Sequence, residues 1–135
     1  MSHGEKLYLA HTSTTNYIQI SSFDGRSWKN STQLINLGYT YLPLSLASYN
    51  DQLFMAYVTR KNLWYYDYEH SFVSSSKDGE KWETPHQPDQ VVDARIKQSV
   101  ILKVSKGKSS NKLLMRYVGK GDKKFSLPCI EDSNK

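Results

Sequence analysis

Cysteine is almost missing from this chain: Cys129 is the one thiol among 135 residues. That excludes an internal disulfide framework and any cysteine-built metal site. Apolar runs are only a few residues long, far short of the roughly 20 that a membrane-spanning helix needs. The segment from Met1 to Lys6 has no charged head leading into an apolar stretch, so no secretory signal is visible and the cytoplasm is the default expectation. Methionine (three) and proline (four) are also scarce. Aromatic residues are plentiful instead, with ten Tyr, three Trp and four Phe. That composition favours strands over a helical bundle, and the length suits about one domain.

The net charge of +5 is uneven. Residues 1–94 carry seven Lys/Arg against ten Asp/Glu, whereas residues 95–135 carry eleven against three. The lysines cluster around residues 103–112, where Gly, Ser and Lys read as a solvated hairpin tip. Lysines also guard strand edges against aggregation. Nucleic acid is therefore not expected as a partner.

A repeat runs through the chain. Ser22-Phe23-Asp24-Gly25-Arg26-Ser27-Trp28 matches Ser76-Lys77-Asp78-Gly79-Glu80-Lys81-Trp82, both reading S-x-D-G-x-x-W and 54 residues apart. A strand pattern accompanies it. Lys6-Leu7-Tyr8-Leu9-Ala10-His11 matches Gln52-Leu53-Phe54-Met55-Ala56-Tyr57 and, more weakly, Lys112-Leu113-Leu114-Met115-Arg116-Tyr117. Alternation and turn signals predict strands over residues 7–11, 17–21, 28–35, 42–48, 53–58, 63–68, 70–75, 82–84, 98–104 and 113–118. Asn50-Asp51, Asp24-Gly25 and Asp78-Gly79 are the turn signals. Within the motif, Asp accepts hydrogen bonds from its own turn, Gly takes positive φ, and Trp returns onto the sheet. A repeat of about 45–55 residues built from short strands points to propeller blades.

The two motifs resemble the Asp-box, or BNR repeat, of sialidase-like β-propellers, whose usual pattern S-x-D-x-G-x-x-W has one more residue between Asp and Gly. The resemblance implies an all-β fold of propeller-like antiparallel blades with Asp-box hairpins, about two blades long, forming an incomplete ring. Ser22, Asp24, Gly25, Trp28, Ser76, Asp78, Gly79 and Trp82 would be its structural residues, at the blade periphery. The expected layout is one β domain over 1–135. It comprises a partial blade at about 5–40, a full blade at 41–94, a basic hairpin at 95–120 and a tail at 121–135. An open ring leaves sheet edges that invite association, so a dimer or trimer is expected.

No catalytic set stands out. A sialidase-type site implies clustered arginines, and only Arg26, Arg60, Arg95 and Arg116 are present. Tyr68 and Glu69 are sequence neighbours and would point to opposite faces of a strand. The four histidines lack metal-ligand spacing, and no cofactor or metal is expected. The best ligand candidate is an eight-residue lengthening of the second unit, where Ala56 to Ser76 spans twenty positions against twelve from Ala10 to Ser22. It brings Arg60, Asn62, Trp64, Tyr66, Tyr68 and His70 together in sequence. Amphipathic rings beside planar polar groups suit sugars, and equally a protein interface. The expectation is a non-catalytic, lectin-like module with a glycan ligand. The alternatives are a piece of a sialidase-like glycosidase or a structural interaction subunit.

Overall fold

A computed structural model describes residues 1–34, 37–38, 40, 43–60, 69–87, 100–106, 111–118 and 122–126. These residues form ten strands in three antiparallel sheets. The first sheet contains β1 (Ser2–His3), β2 (Lys6–Thr12), β3 (Ile18–Phe23) and β4 (Trp28–Gln33) in chain order. The middle sheet contains β5 (Ser45–Tyr49), β6 (Gln52–Arg60) and β7 (Glu69–Ser76). The third contains β8 (Ile101–Lys106), β9 (Asn111–Val118) and β10 (Asp122–Ser126). Each is a meander, in which every strand pairs with the next. Among the described residues, no helix is long and apolar enough to cross a membrane.

The sheets stack, and β6 shows why. Its stretch Leu53-Phe54-Met55-Ala56-Tyr57-Val58 is apolar at every position and buried at every position. Successive strand side chains point to opposite faces, so a strand with no polar face must be covered on both. Leu53, Met55 and Tyr57 pack with Tyr8, Ile18 and Ile20 of the first sheet and with Leu34, Leu37 and Trp82. Phe54, Ala56 and Val58 pack with Leu102, Leu113 and Met115 of the third sheet and with Val100. Full burial of each Leu, Ile, Val, Phe or Met among them stabilises the fold by about 1.5–3 kcal/mol. The outer sheets alternate instead: in β2 Tyr8 is buried while Leu7 and Leu9 are exposed.

Polar ties span both seams. Tyr57 Oη donates to Leu37 O at 2.7 Å, and His3 Nδ1 lies 2.7 Å from Ser48 Oγ. Across the other seam, Tyr49 Oη donates to Asn111 O at 2.8 Å and Leu102 N donates to Ser45 Oγ at 2.9 Å. The β5–β6 connection is the expected tight turn. Tyr49 pairs with Gln52, and Asn50 and Asp51 both have positive φ, as a two-residue type I′ hairpin requires.

Several expectations need correction. The layout of about two blades becomes three successive meander sheets. The assigned tail contains β10, which pairs with β9 from Asp122↔Val118 to Ser126↔Leu114. The first unit gains the two-residue β1, turned at Gly4 with φ 60°. The strand expected at residues 82–84 does not form. Trp82 leaves the sheet line for the core, and Pro85, which has no N–H, follows it. What remains of that pairing is a bridge between Val73 and His86 and a hydrogen bond from Glu83 N to Ser75 O at 2.9 Å. The expected strand at residues 63–68 lies outside the described residues.

Candidate functional site

The two repeated turns have the same chemistry at their centre. Asp24 Oδ1 accepts from Arg26 N at 2.8 Å and Ser27 N at 3.0 Å. Asp78 Oδ1 accepts from Glu80 N at 2.8 Å, Lys81 N at 2.9 Å and Ser76 Oγ at 3.1 Å. Each carboxylate thus satisfies amides that a tight loop would otherwise leave unpaired. Hydrogen bonds to the charged form hold both acids below the usual carboxylate range, led by Ser27 N for Asp24 and Lys81 N for Asp78. Gly25 and Gly79 have φ of 100° and 79°.

The surroundings of the turns differ. In the second, Gly79 N donates to Ser76 Oγ at 2.8 Å, and Trp82 Nε1 donates to Gly79 O at 3.1 Å from a buried ring. Tyr8 lies over this turn and donates its hydroxyl to Asp78 O at 3.0 Å. Burial raises the Tyr8 phenol above its ordinary value, and the nearby charges of Asp78 and Glu80 add to that. Lys29 forms an ion pair with Glu80 on the same side. In the first turn Trp28 is exposed and stacks obliquely on Phe23, with ring centroids 5.2 Å apart. Sequence spacing alone did not single out Tyr8, Lys29 or His3. The one signal for Tyr8 was its place in the strand repeat, where Phe54 and Leu114 are its counterparts.

Asp24 in the first turn, and Ser76, Asp78, Gly79 and Trp82 in the second, therefore hold two tight loops, and the two carboxylates are engaged with their own backbone. A depression lined by Lys6, Ser22, Asp24, Ser27 and Lys29 lies beside the first turn. Two of its three charged groups already have work, since Lys29 pairs with Glu80 and Asp24 holds its loop. Among the described residues, no group of three His, Cys, Asp or Glu side chains could hold a metal ion.

Of the ligand candidates, Asn62, Trp64, Tyr66 and Tyr68 lie outside the described residues. Arg60 and His70 are described in backbone only, as the end of β6 and the second residue of β7. The ladder pairs Arg60 with Glu69 and Thr59 with His70. The chain therefore leaves and re-enters the middle sheet at adjacent positions. That end of the sheet is opposite the Asp78 turn, which follows Ser76.

No protein-family model, curated protein or solved structure matches the chain.

Proposed function

We propose that this protein is a non-catalytic, lectin-like carbohydrate-binding module of the Asp-box, propeller-like kind. The observation that carries the reading is the β6–β7 ladder. It runs unbroken from Leu53↔Ser76 to Arg60↔Glu69 and ties both ends of the aromatic segment to a strand pair whose Leu53–Val58 stretch is buried at every position. Binding residues held on a rigid scaffold lose less entropy on engaging a ligand. Arg60, Asn62, Trp64, Tyr66, Tyr68 and His70 are the proposed sugar contacts. Rings would cover sugar C–H faces and planar polar groups would meet hydroxyls. The engaged carboxylates of the turns support a structural role for the motif.

A glycan array at a concentration that detects about millimolar affinity, roughly −4 kcal/mol, tests this. A positive glycan whose binding is lost in Trp64→Ala and Tyr66→Ala, with the fold unchanged, is the expected result. An array without a hit contradicts the reading. Release of dye from aryl glycosides, abolished by replacing one carboxylate, would instead make the protein a glycosidase.

A further inference from the structure

The cations of the third sheet are not confined to a hairpin tip. The β8–β9 ladder ends at Lys106↔Asn111, whereas Lys103 pairs with Leu114 and Arg116 with Ile101, well back from that end. Leu102, Leu113 and Met115 are buried against the middle sheet. Side chains alternate along a strand, so Lys103, Lys112 and Arg116 share the opposite face, and all three are exposed. Across the ladder Lys103 is the diagonal neighbour of the other two, a separation of about 7–8 Å in each case.

Arg116 already has a partner within the protein. Lys103 and Lys112 have no hydrogen bond or ion pair among the described residues. β8 and β9 contain no Asp or Glu. From Ile101 to Ser126 the chain carries eight Lys and Arg against one acid, Asp122. Protection of a sheet edge does not account for this. Edge lysines belong on outer strands, and Lys112 stands on β9, the central strand of its sheet. Like charges on one sheet face repel each other, and anions from outside the chain relieve that repulsion.

We infer that the outer face of the third sheet binds a linear acidic polysaccharide through the ammonium groups of Lys103 and Lys112. Each ammonium donates charge-assisted hydrogen bonds to sulfate or carboxylate oxygens along the polymer. Ile101 shares this face and is 54% exposed, giving an aliphatic surface to the C–H faces of the sugar rings. A nucleic acid suits the face less well. Its unpaired bases stack on aromatic rings, and the apolar side chains described on this face, Ile101 and Leu114, are aliphatic. The inference uses none of the residues of the sugar reading above and stands without it.

Fluorescence anisotropy of labelled heparin fragments, titrated with the full chain at about 50 and about 200 mM NaCl, tests it. Saturable binding at the lower salt that weakens at the higher is the expected result. Lys103→Gln combined with Lys112→Gln is expected to weaken binding about tenfold or more at the lower salt, with unchanged circular dichroism. The charge-keeping pair Lys103→Arg and Lys112→Arg is expected to retain it. Lys77→Gln with Lys81→Gln removes the same charge from an exposed turn and is expected to leave binding unchanged. Trp64→Ala with Tyr66→Ala is expected to leave it unchanged as well. Absence of binding by the wild type overturns the inference. So does binding that survives the Lys103 and Lys112 glutamines, or an equal loss in the turn pair or the aromatic pair. Single-stranded or duplex DNA bound as tightly as heparin overturns it too.

Discussion

Tyr8 closes over Gly79: a methyl group placed on that glycine would lie 2.7 Å from Tyr8 Cζ, well inside van der Waals contact. Tyr8 Oη also bonds to Asp78 O, so a residue of the first sheet roofs the turn of the second unit across 70 positions of sequence. Gly79 is therefore constrained twice, by its φ of 79° and by the ring above it. Gly25 is constrained once, by its φ of 100° alone. Gly79→Ala should cost about 3–4 kcal/mol, combining backbone strain with overpacking, and Gly25→Ala about 1–2 kcal/mol. Urea denaturation of the two variants measures the gap; equal losses would contradict the roof.

The two motif tryptophans should separate in the same way. Trp82 is buried and hydrogen-bonded to Gly79 O, so Trp82→Ala should lose about 3–5 kcal/mol. Trp82→Phe should lose about 1–3 kcal/mol, from the missing hydrogen bond and the smaller ring. Trp28 is exposed, and Trp28→Ala should change the stability of the single chain by less than about 1 kcal/mol. Thermal melts at a concentration low enough to suppress association compare them.

Acid should act through the turns. Asp78 is held below its ordinary value of 3.8 by the amides of Lys81 and Glu80, aided by Ser76 Oγ. A carboxyl whose folded value is depressed contributes stability above its unfolded value and loses it as pH falls through the folded one. Asp78→Asn should therefore be less stable than the wild type near neutral pH. The difference should shrink below about pH 4. A difference that stays constant from pH 7 to pH 2 would contradict this; urea midpoints across that range decide.

Alkali should act through Tyr57. Its hydroxyl is buried and bonded to Leu37 O, and burial raises the phenol well above 10.0. A raised folded value gives stability that is complete below the unfolded value and is lost as pH climbs past it. Tyr57→Phe should cost about 1–3 kcal/mol at neutral pH by leaving a buried carbonyl unpaired. The variant's melting temperature should then fall less steeply than the wild type's above about pH 10. Melting curves from pH 8 to pH 11 provide the check.

The parts of the fold that depend on local chemistry were legible in the sequence. Asn50-Asp51 announced its turn, Ile18 and Ile20 announced an inward face, and the paired Asp-Gly motifs announced two equivalent loops. The doubly apolar β6 could be read as a strand, and two-sided burial gives the reason for its lack of alternation. Other features depend on neighbours and could not be read. Trp28 and Trp82 stand in one motif, yet only Trp82 has a sheet beside it to enter. β10, with the sequence Asp-Lys-Lys-Phe-Ser, looks like a polar tail because its pairing comes from β9 and not from its own periodicity. The Lys29–Glu80 pair joins residues 51 positions apart, with no spacing to mark it. The aromatic segment was legible only as composition, and its central residues, 61–68, lie outside the described part.

The most direct test of the stacked-sheet account is the thiol-labelling rate of three repeat-equivalent cysteine variants, Leu9→Cys, Met55→Cys and Met115→Cys, each made with Cys129→Ser. The account predicts that the probes at positions 55 and 115 stay unreactive until the protein unfolds. The probe at position 9 should react freely in the folded protein, since Leu9 is exposed. Labelling at position 115 as fast as at position 9, or protection at position 9 at every dilution, would contradict it.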